Sequence, residues 1–295
     1  MDQPRATTIS LDDSYAQCIA VTRERAANFH FAFKVLPEPR YRGICALYAF
    51  SRLADDYSDD ESDPARVRET LRKWRAMFDA AMAGDPSGHA ILPAVADTMK
   101  RYGIAPVYMH ELLNGTDMDA DKNRYATWGE TYQYCYRVAS VIGIMTIHVF
   151  GFNDAKAIAL AEKTGIAFQM TNILRDLAED AGRNRIYLPL EDLHKHGVSE
   201  QELLAAKDSP MLRQLVKAEV ERTKVYYEAG RELIPLIASE SRDALGSLVA
   251  IYSRLLEEIE RRGCDVWTER VSLSTAEKAR LAAGFMWKQF LRIGS

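Results

Sequence analysis

From Tyr134 to Phe150 the chain reads YCYRVASVIGIMTIHVF, a run that is apolar on nearly every side at helical spacing. A helix without a polar face cannot lie on a surface, so this segment requires other helices around it and belongs at the centre of a bundle. The rest of the chain can supply them. From Tyr41 onward apolar residues recur at three and four, and breaks fall at clusters such as Gly84-Asp85-Pro86-Ser87-Gly88 and Gly103-Ile104-Ala105-Pro106. No alternating strand pattern emerges. The spacing predicts helices over 12–27, 41–57, 64–83, 90–102, 106–117, 125–150, 155–180, 210–238, 242–262 and 274–290. No solenoid repeat and no low-complexity linker divides the chain. The expected architecture is therefore all-α: one domain over residues 1–295, ten helices around one cavity, with residues 1–10 flexible.

Composition narrows what such a bundle can do. Hydrophobic residues at 47% can fill a sizeable core, while a formal charge of -4 and a pI near 5.9 speak against a nucleic-acid partner, which would need a basic field. Cys18, Cys45, Cys135 and Cys264 are widely separated and match no Cys-x-x-Cys or Cys/His ligand spacing, so they are expected as buried free thiols. The first residues, Met-Asp-Gln-Pro-Arg, lack the basic and apolar regions of a signal peptide, and no window approaches roughly 18 uninterrupted apolar residues. These features lead to an expected cytoplasmic location, with peripheral membrane contact left open.

Two acidic stripes carry the chemistry. Tyr48, Arg52, Asp55 and Asp59 follow at i, i+4, i+7 and i+11, in a stripe flanked by the apolar residues Ala46, Leu47, Phe50 and Leu53. Gln169, Asn172, Asp176 and Asp180 follow at i, i+3, i+7 and i+11, with Arg183, Arg185 and Tyr187 close behind. A polar stripe set among core residues has to face something polar, and a hard cation with an anionic ligand would satisfy both the carboxylates and the arginines. Mg²⁺ prefers oxygen ligands and keeps several of its waters, so two helices offering one or two carboxylates each suit a bridged phosphate group. Taken alone, one Asp-x-x-x-Asp is more commonly a solvated helix face, and Asp59 to Asp63 could be only an acidic helix end. Iron is disfavoured, because a di-iron bundle wants Glu-x-x-His and no such spacing accompanies these acids.

These residues resemble the squalene and phytoene synthases, which join two prenyl diphosphates head to head. The resemblance runs from about Asn28 to Arg270, in four ordered blocks: Asn28 to Phe33 with Leu36-Pro37, Ala46 to Arg52 leading into Asp55 to Asp59, Tyr134 to Ala139 with Gly143, and QMTNILRDLAEDAGRNRIYLP from Gln169 to Pro189. The last block is the most specific. The resemblance implies an isoprenoid synthase fold with the two acidic motifs on opposite walls of a central cavity. It implies Asp55, Asp59, Asp176 and Asp180, supported by Asn172, as the metal site for Mg²⁺, with Mn²⁺ as the alternative. It implies Arg52, Arg175, Arg185, Tyr187 and Arg270 as diphosphate contacts, and Tyr48, Tyr134, Gln169 and Tyr252 at the reacting centre. Tyr252 to Arg270 looks like the family's closing helix and its Glu-Arg-Val turn. Arg25 stands where relatives carry a basic residue before the Phe-rich block, Asn28 where many carry Ser. The end at Ser295 without a hydrophobic tail looks bacterial in type.

The implied chemistry breaks an allylic C–O bond, stabilises the departing pyrophosphate and shields a carbocation from water. Phe29, Phe33, Phe50 and Phe168 lie near the motif helices, where ring faces could steady a cation by about 0.5–2 kcal/mol each, although core packing explains each as well. A tyrosine hydroxyl or the released pyrophosphate would take the proton lost when a cyclopropylcarbinyl diphosphate forms. Farnesyl diphosphate would give presqualene- or squalene-type products and geranylgeranyl diphosphate would give phytoene; the expectation leans to the farnesyl branch. The chain has no glycine-rich dinucleotide fingerprint, so no Rossmann-type NADPH site is expected, and NADPH use stays open, as does oligomeric state. A class I terpene cyclase is the rival enzyme, but its second motif would offer Asn, Ser or Thr and Glu. A non-catalytic helical adaptor is the rival from another class. It would gain nothing from clustered carboxylates.

Overall fold

The apolar run does lie among helices, and what surrounds it can be followed along the chain. The computed structural model describes residues 9–25, 33, 35–59 and 63–293, without the side chains of 58, 59, 121 and 285–293. Leu11–Arg25 (α1) packs against Glu38–Asp59 (α2), which carries the first acidic stripe. Pro64–Ala83 (α3), Leu92–Arg101 (α4) and Val107–Asp121 (α5) follow, separated at the expected breaks, where Gly84 and Gly103 take φ of 112° and 62°.

The segment expected as one helix over 125–150 is built in pieces. Arg124–Tyr125 (β1) precedes Trp128–Cys135 (α6), a π-helical turn over Tyr136–Ser140, and Val141–Phe150 (α7). On α7, Val141, Ile144, Met145, Ile147, Val149 and Phe150 are buried, as a central helix requires. The π turn packs tightly on the next helix, Lys156–Gly182 (α8): a Cβ on Gly165 would sit 2.5 Å from Ser140 Cα, and Ser140 Oγ donates to the Glu162 carbonyl at 2.7 Å. Any side chain at Gly165 would push these two elements apart.

α8 is the spine of the molecule. Its start is held by Asp154, whose carboxylate accepts the Lys156 N–H at 2.9 Å, and it is rich in Ala, Leu and Glu. It ends where Asn184 takes φ 56°, a conformation Asn tolerates better than most residues. Arg124 fixes that turn by donating to the Asn184 carbonyl at 2.6 Å and to its side-chain oxygen at 2.8 Å. The chain then doubles back as Ile186–Pro189 (β2), which pairs in parallel with β1. This pair corrects the expectation of a chain without strands. At two and four residues the strands are too short to show alternation.

Leu190–Lys195 (α9) and Glu200–Leu204 (α10) also escaped the periodicity, being six and five residues long. Pro210–Leu233 (α11) packs along α8 more extensively than any other helix, and Arg242–Arg261 (α12) and Thr275–Ile293 (α13) complete the bundle. The buried side chains form one continuous cluster, in which all four cysteines are free thiols. No described helix is long and apolar enough to cross a membrane.

Candidate active site

Both acidic stripes face one cavity of about 330 Å³. Arg52 and Asp55 line it from α2, and Gln169, Asn172, Asp176 and Asp180 from α8. The backward turn after α8 adds Arg183, Arg185 and Tyr187, and the loop after α12 adds Arg270. Leu112, Val138, Ile142 and Ile173 give the same cavity an apolar side. A ligand with a charged head and a hydrocarbon tail matches that division.

The α8 wall is electrostatically loaded. Asp176 accepts two bonds from its neighbour Arg175 and a third from Arg270 Nε at 2.8 Å. Burial pushes the Asp180 carboxyl up to about 7, and the charges of Asp176 and Glu179 push it the same way against Arg185 and Arg183. Burial holds the Lys278 ammonium below its usual range, helped by the charges of Arg175 and Arg270, which places a further cation in this group. The α2 wall is more open. Asp55 is exposed, and Arg52 turns to Asp56, off the expected stripe, leaving its buried Nε without a hydrogen-bond partner among the described residues. The side chain of Asp59 lies outside the described residues.

The donor set fits a hard cation. Asp55, Asp176 and Asp180 offer carboxylate oxygens, and Asn172 Oδ1 is buried with no hydrogen-bond partner among the described residues, a costly state that a cation would relieve. Among the described residues no three His, Cys, Asp or Glu side chains come close enough together to hold a metal ion by themselves. An open oxygen set is what Mg²⁺ uses when water and phosphate complete its shell.

Behind these charges stands a tyrosine group. Tyr134 and Tyr187 stack with ring centroids 4.8 Å apart, and their phenols donate to the two oxygens of Asp119, at 3.2 and 2.9 Å. Burial pushes both phenols up in pKa, and the Asp119 charge adds to it. Asp119 was not foreseen: it stands two residues from Asp117 near the end of α5, a spacing that aims the pair at different faces. Lys278, about a hundred residues from the nearer stripe, gave no signal either.

The remaining expected residues divide. Gln169 lines the cavity and accepts from Asn172 Nδ2 at 3.4 Å. Tyr48, half-buried on α2, and Tyr252, buried on α12, are not on the cavity wall; Tyr252 stacks on Phe168 at 4.4 Å and touches Asn172. Arg175 reaches the site through Asp176. Phe168 thus belongs to the packing between α8 and α12, and Phe50 stacks on Trp74 at 5.0 Å in the core, so neither ring faces the cavity. Phe33 is buried, and Phe29 lies outside the described residues.

Comparison with known proteins gives one answer. The sequence signature described as squalene/phytoene synthase matches residues 22–277. A phytoene synthase of Arthrospira platensis is 32% identical over 289 residues, covering 92% of each chain, and a 15-cis-phytoene synthase of Synechocystis sp. is 32% identical over 281 residues, covering 91% of this chain and 83% of that one. Among solved structures, a ligand-bound dehydrosqualene synthase superimposes with a TM-score of 0.86 at 27% identity, over 96% of this chain and 98% of that one. Squalene synthase HpnC from Alicyclobacillus acidocaldarius shares the fold, with a TM-score of 0.82 at 24% identity, over 88% of this chain and 98% of that one. The bundle is the isoprenoid synthase fold, and the chain belongs to the squalene/phytoene synthase family, whose members are prenyltransferases.

Proposed function

We propose that this chain joins two molecules of geranylgeranyl diphosphate head to head, with Mg²⁺, to give a phytoene-type product. The observation that carries the condensation is that Asp55 from α2 and Asn172, Asp176 and Asp180 from α8 line one cavity whose lining also includes Leu112, Val138, Ile142 and Ile173. The chain length rests on the relatives at 32% identity that are named phytoene synthases. The leaning toward a farnesyl-derived product finds no support in those names. The dehydrosqualene synthase likeness keeps a farnesyl reading as the second one.

In this reading Asp55, Asp176, Asp180 and Asn172 hold the cation, with Asp59 as a further candidate. Mg²⁺ would neutralise charge on the diphosphates and so favour C–O cleavage. Arg52, Arg175, Arg270 and Lys278 bind and orient the leaving group, and Arg185 with Tyr187 backs them. Leu112, Val138, Ile142 and Ile173 exclude water from the prenyl cation, which water would otherwise quench. Tyr134 and Gln169 stand where the reacting carbons meet. Incubation of the protein and Mg²⁺ with geranylgeranyl and farnesyl diphosphate separately, with and without NADPH, tests all of this by the lipid formed. A forty-carbon product supports the proposal. A thirty-carbon product alone transfers it to the farnesyl branch, and intact diphosphates in both tubes would sink it.

A further inference from the structure

We propose that Asp119 is a positioning residue that receives, through Tyr134, the proton expelled when the two prenyl units close their cyclopropane. This rests on the condensation reading above.

The geometry assigns it. Asp119 lies on the cavity wall near the end of α5, with Tyr134 presented by α6 and Tyr187 by β2. Each phenol spends its hydrogen on a different Asp119 oxygen, at 3.2 and 2.9 Å. Tyr134 Oη therefore keeps its lone pairs for whatever enters the cavity, whereas Tyr187 Oη already accepts from Arg185 Nη1 at 3.5 Å. Stacking holds this arrangement: Tyr125, fully buried on β1, packs its ring on Tyr134 at 5.3 Å and on Tyr187 at 5.9 Å. Arg185 is not spent on neutralising the pair; it reaches the Asp119 backbone carbonyl at 3.4 Å and Tyr187 Oη at 3.5 Å.

A buried phenol beside a carboxylate is a poor base alone, since it neither ionises readily nor holds a second proton. It can pass one on. As the ring closes, the C–H bond at carbon 1 of the first prenyl unit breaks and its electron pair becomes the last ring bond. The proton moves to Tyr134 Oη while the phenolic proton of Tyr134 moves to Asp119 Oδ2. Tyr134 ends neutral, Asp119 ends as the carboxylic acid, and no oxidant or reductant is required. Among the described groups that bear on Asp119 are Tyr134, Tyr187 and Tyr125, the Arg185 cation, the Asp180 charge felt by Tyr187, Asp117 on its own helix, and Lys122 over the Tyr125 ring at 4.8 Å.

The experiment is a kinetic cycle on the full chain with Mg²⁺ and the prenyl diphosphate that the wild type turns over. Asp119→Asn keeps shape and removes the acceptor, so kcat is expected to fall by about 10²–10⁴-fold with KM within about threefold. Asp119→Glu should recover at least about tenfold over Asn, and adding Tyr134→Phe to Asp119→Asn should cost little more, because the two act as one path. Asp119→Asn within about fivefold of wild type, or full additivity with Tyr134→Phe, overturns the proposal. Should the Asn variant fail to fold, Asp119→Glu decides: retained activity supports the relay, and loss beyond about 10³-fold at unchanged KM overturns it. A wild type inert toward both substrates instead removes the condensation reading itself.

Discussion

The two acidic helices present similar residues and are built in opposite ways. On α8, Asp176 is held by Arg175 and Arg270, Asp180 is half-buried among like charges, and the chain folds back to add Arg185 and Tyr187. On α2, Asp55 is exposed, and Arg52 is occupied by a neighbour outside the stripe. One wall is assembled before any ligand arrives, and the other faces solvent and is completed by what it binds. Charge changes on α8 should therefore alter both folding and turnover, whereas changes on α2 should alter turnover alone.

The largest effect belongs to Asp176→Ala. It removes a proposed cation ligand and also strands Arg175, only 14% exposed at the side chain, so turnover should fall by about 10³-fold or more and stability by about 1–3 kcal/mol. Product assay and thermal melting measure the two losses, and an unchanged Tm would contradict the preassembled wall. Asp55→Ala should lose about 10²–10³-fold in turnover with Tm within about 1 °C of wild type. A drop of several degrees there would erase the difference between the helices.

The α8 wall is also anchored from behind, and this anchor titrates. Arg222 on α11 donates to Asp192 at 2.7 Å and to both Glu219 oxygens at 2.8 and 2.9 Å, and it lies over Trp128 at 4.6 Å, so α11 grips the segment that follows β2. Burial pushes Glu219 up to about 7, with the Asp192 charge adding to it against Arg222. A carboxyl raised on folding binds its proton more tightly in the native state. Its contribution is thus complete below the unfolded value near 4.5 and is lost as the pH climbs through about 7. Urea unfolding should show the wild type losing about 2 kcal/mol between pH 5 and pH 8, with Glu219→Gln losing markedly less. Parallel slopes in the two proteins would exclude Glu219 as the source.

What could be foreseen from the residues follows the same division. α8 and its acids were legible because burial on one face imposes a 3.6-residue period, and every side chain the period selects faces the cavity or the core. Gln169, Asn172, Asp176 and Asp180 all fall where that argument puts them. The π turn at Tyr136–Ser140 was not legible, since one inserted residue leaves composition and hydropathy unchanged while shifting the face that Val138 presents. Asp119 meets Tyr125 through the packing of α5 and β1, and Lys278 on α13 meets Arg175 and Arg270, tertiary proximities that no local pattern encodes. Phe50 and Phe168 were candidates for the cavity by proximity in sequence. Their rings went to Trp74 and Tyr252 because helix packing, and not chain neighbourhood, decides which way an aromatic faces.

The smallest expected effect isolates the open wall most cleanly. Asp56 takes the Arg52 guanidinium although neither is deeply buried, with 31% of the Arg52 side chain and 24% of the Asp56 side chain exposed. A pair of that kind contributes no more than about 1 kcal/mol, so Asp56→Asn should leave Tm nearly unchanged. What it removes is competition. In the proposed function Asp56 competes with the diphosphate for the Arg52 guanidinium, and the variant should lower KM by about two- to fivefold at constant kcat, because binding gains equally in ground and transition states. Steady-state kinetics at fixed Mg²⁺ measures this directly. A raised KM would mean instead that Asp56 aims Arg52 at the ligand, and the α2 wall would then be as preassembled as the one it faces.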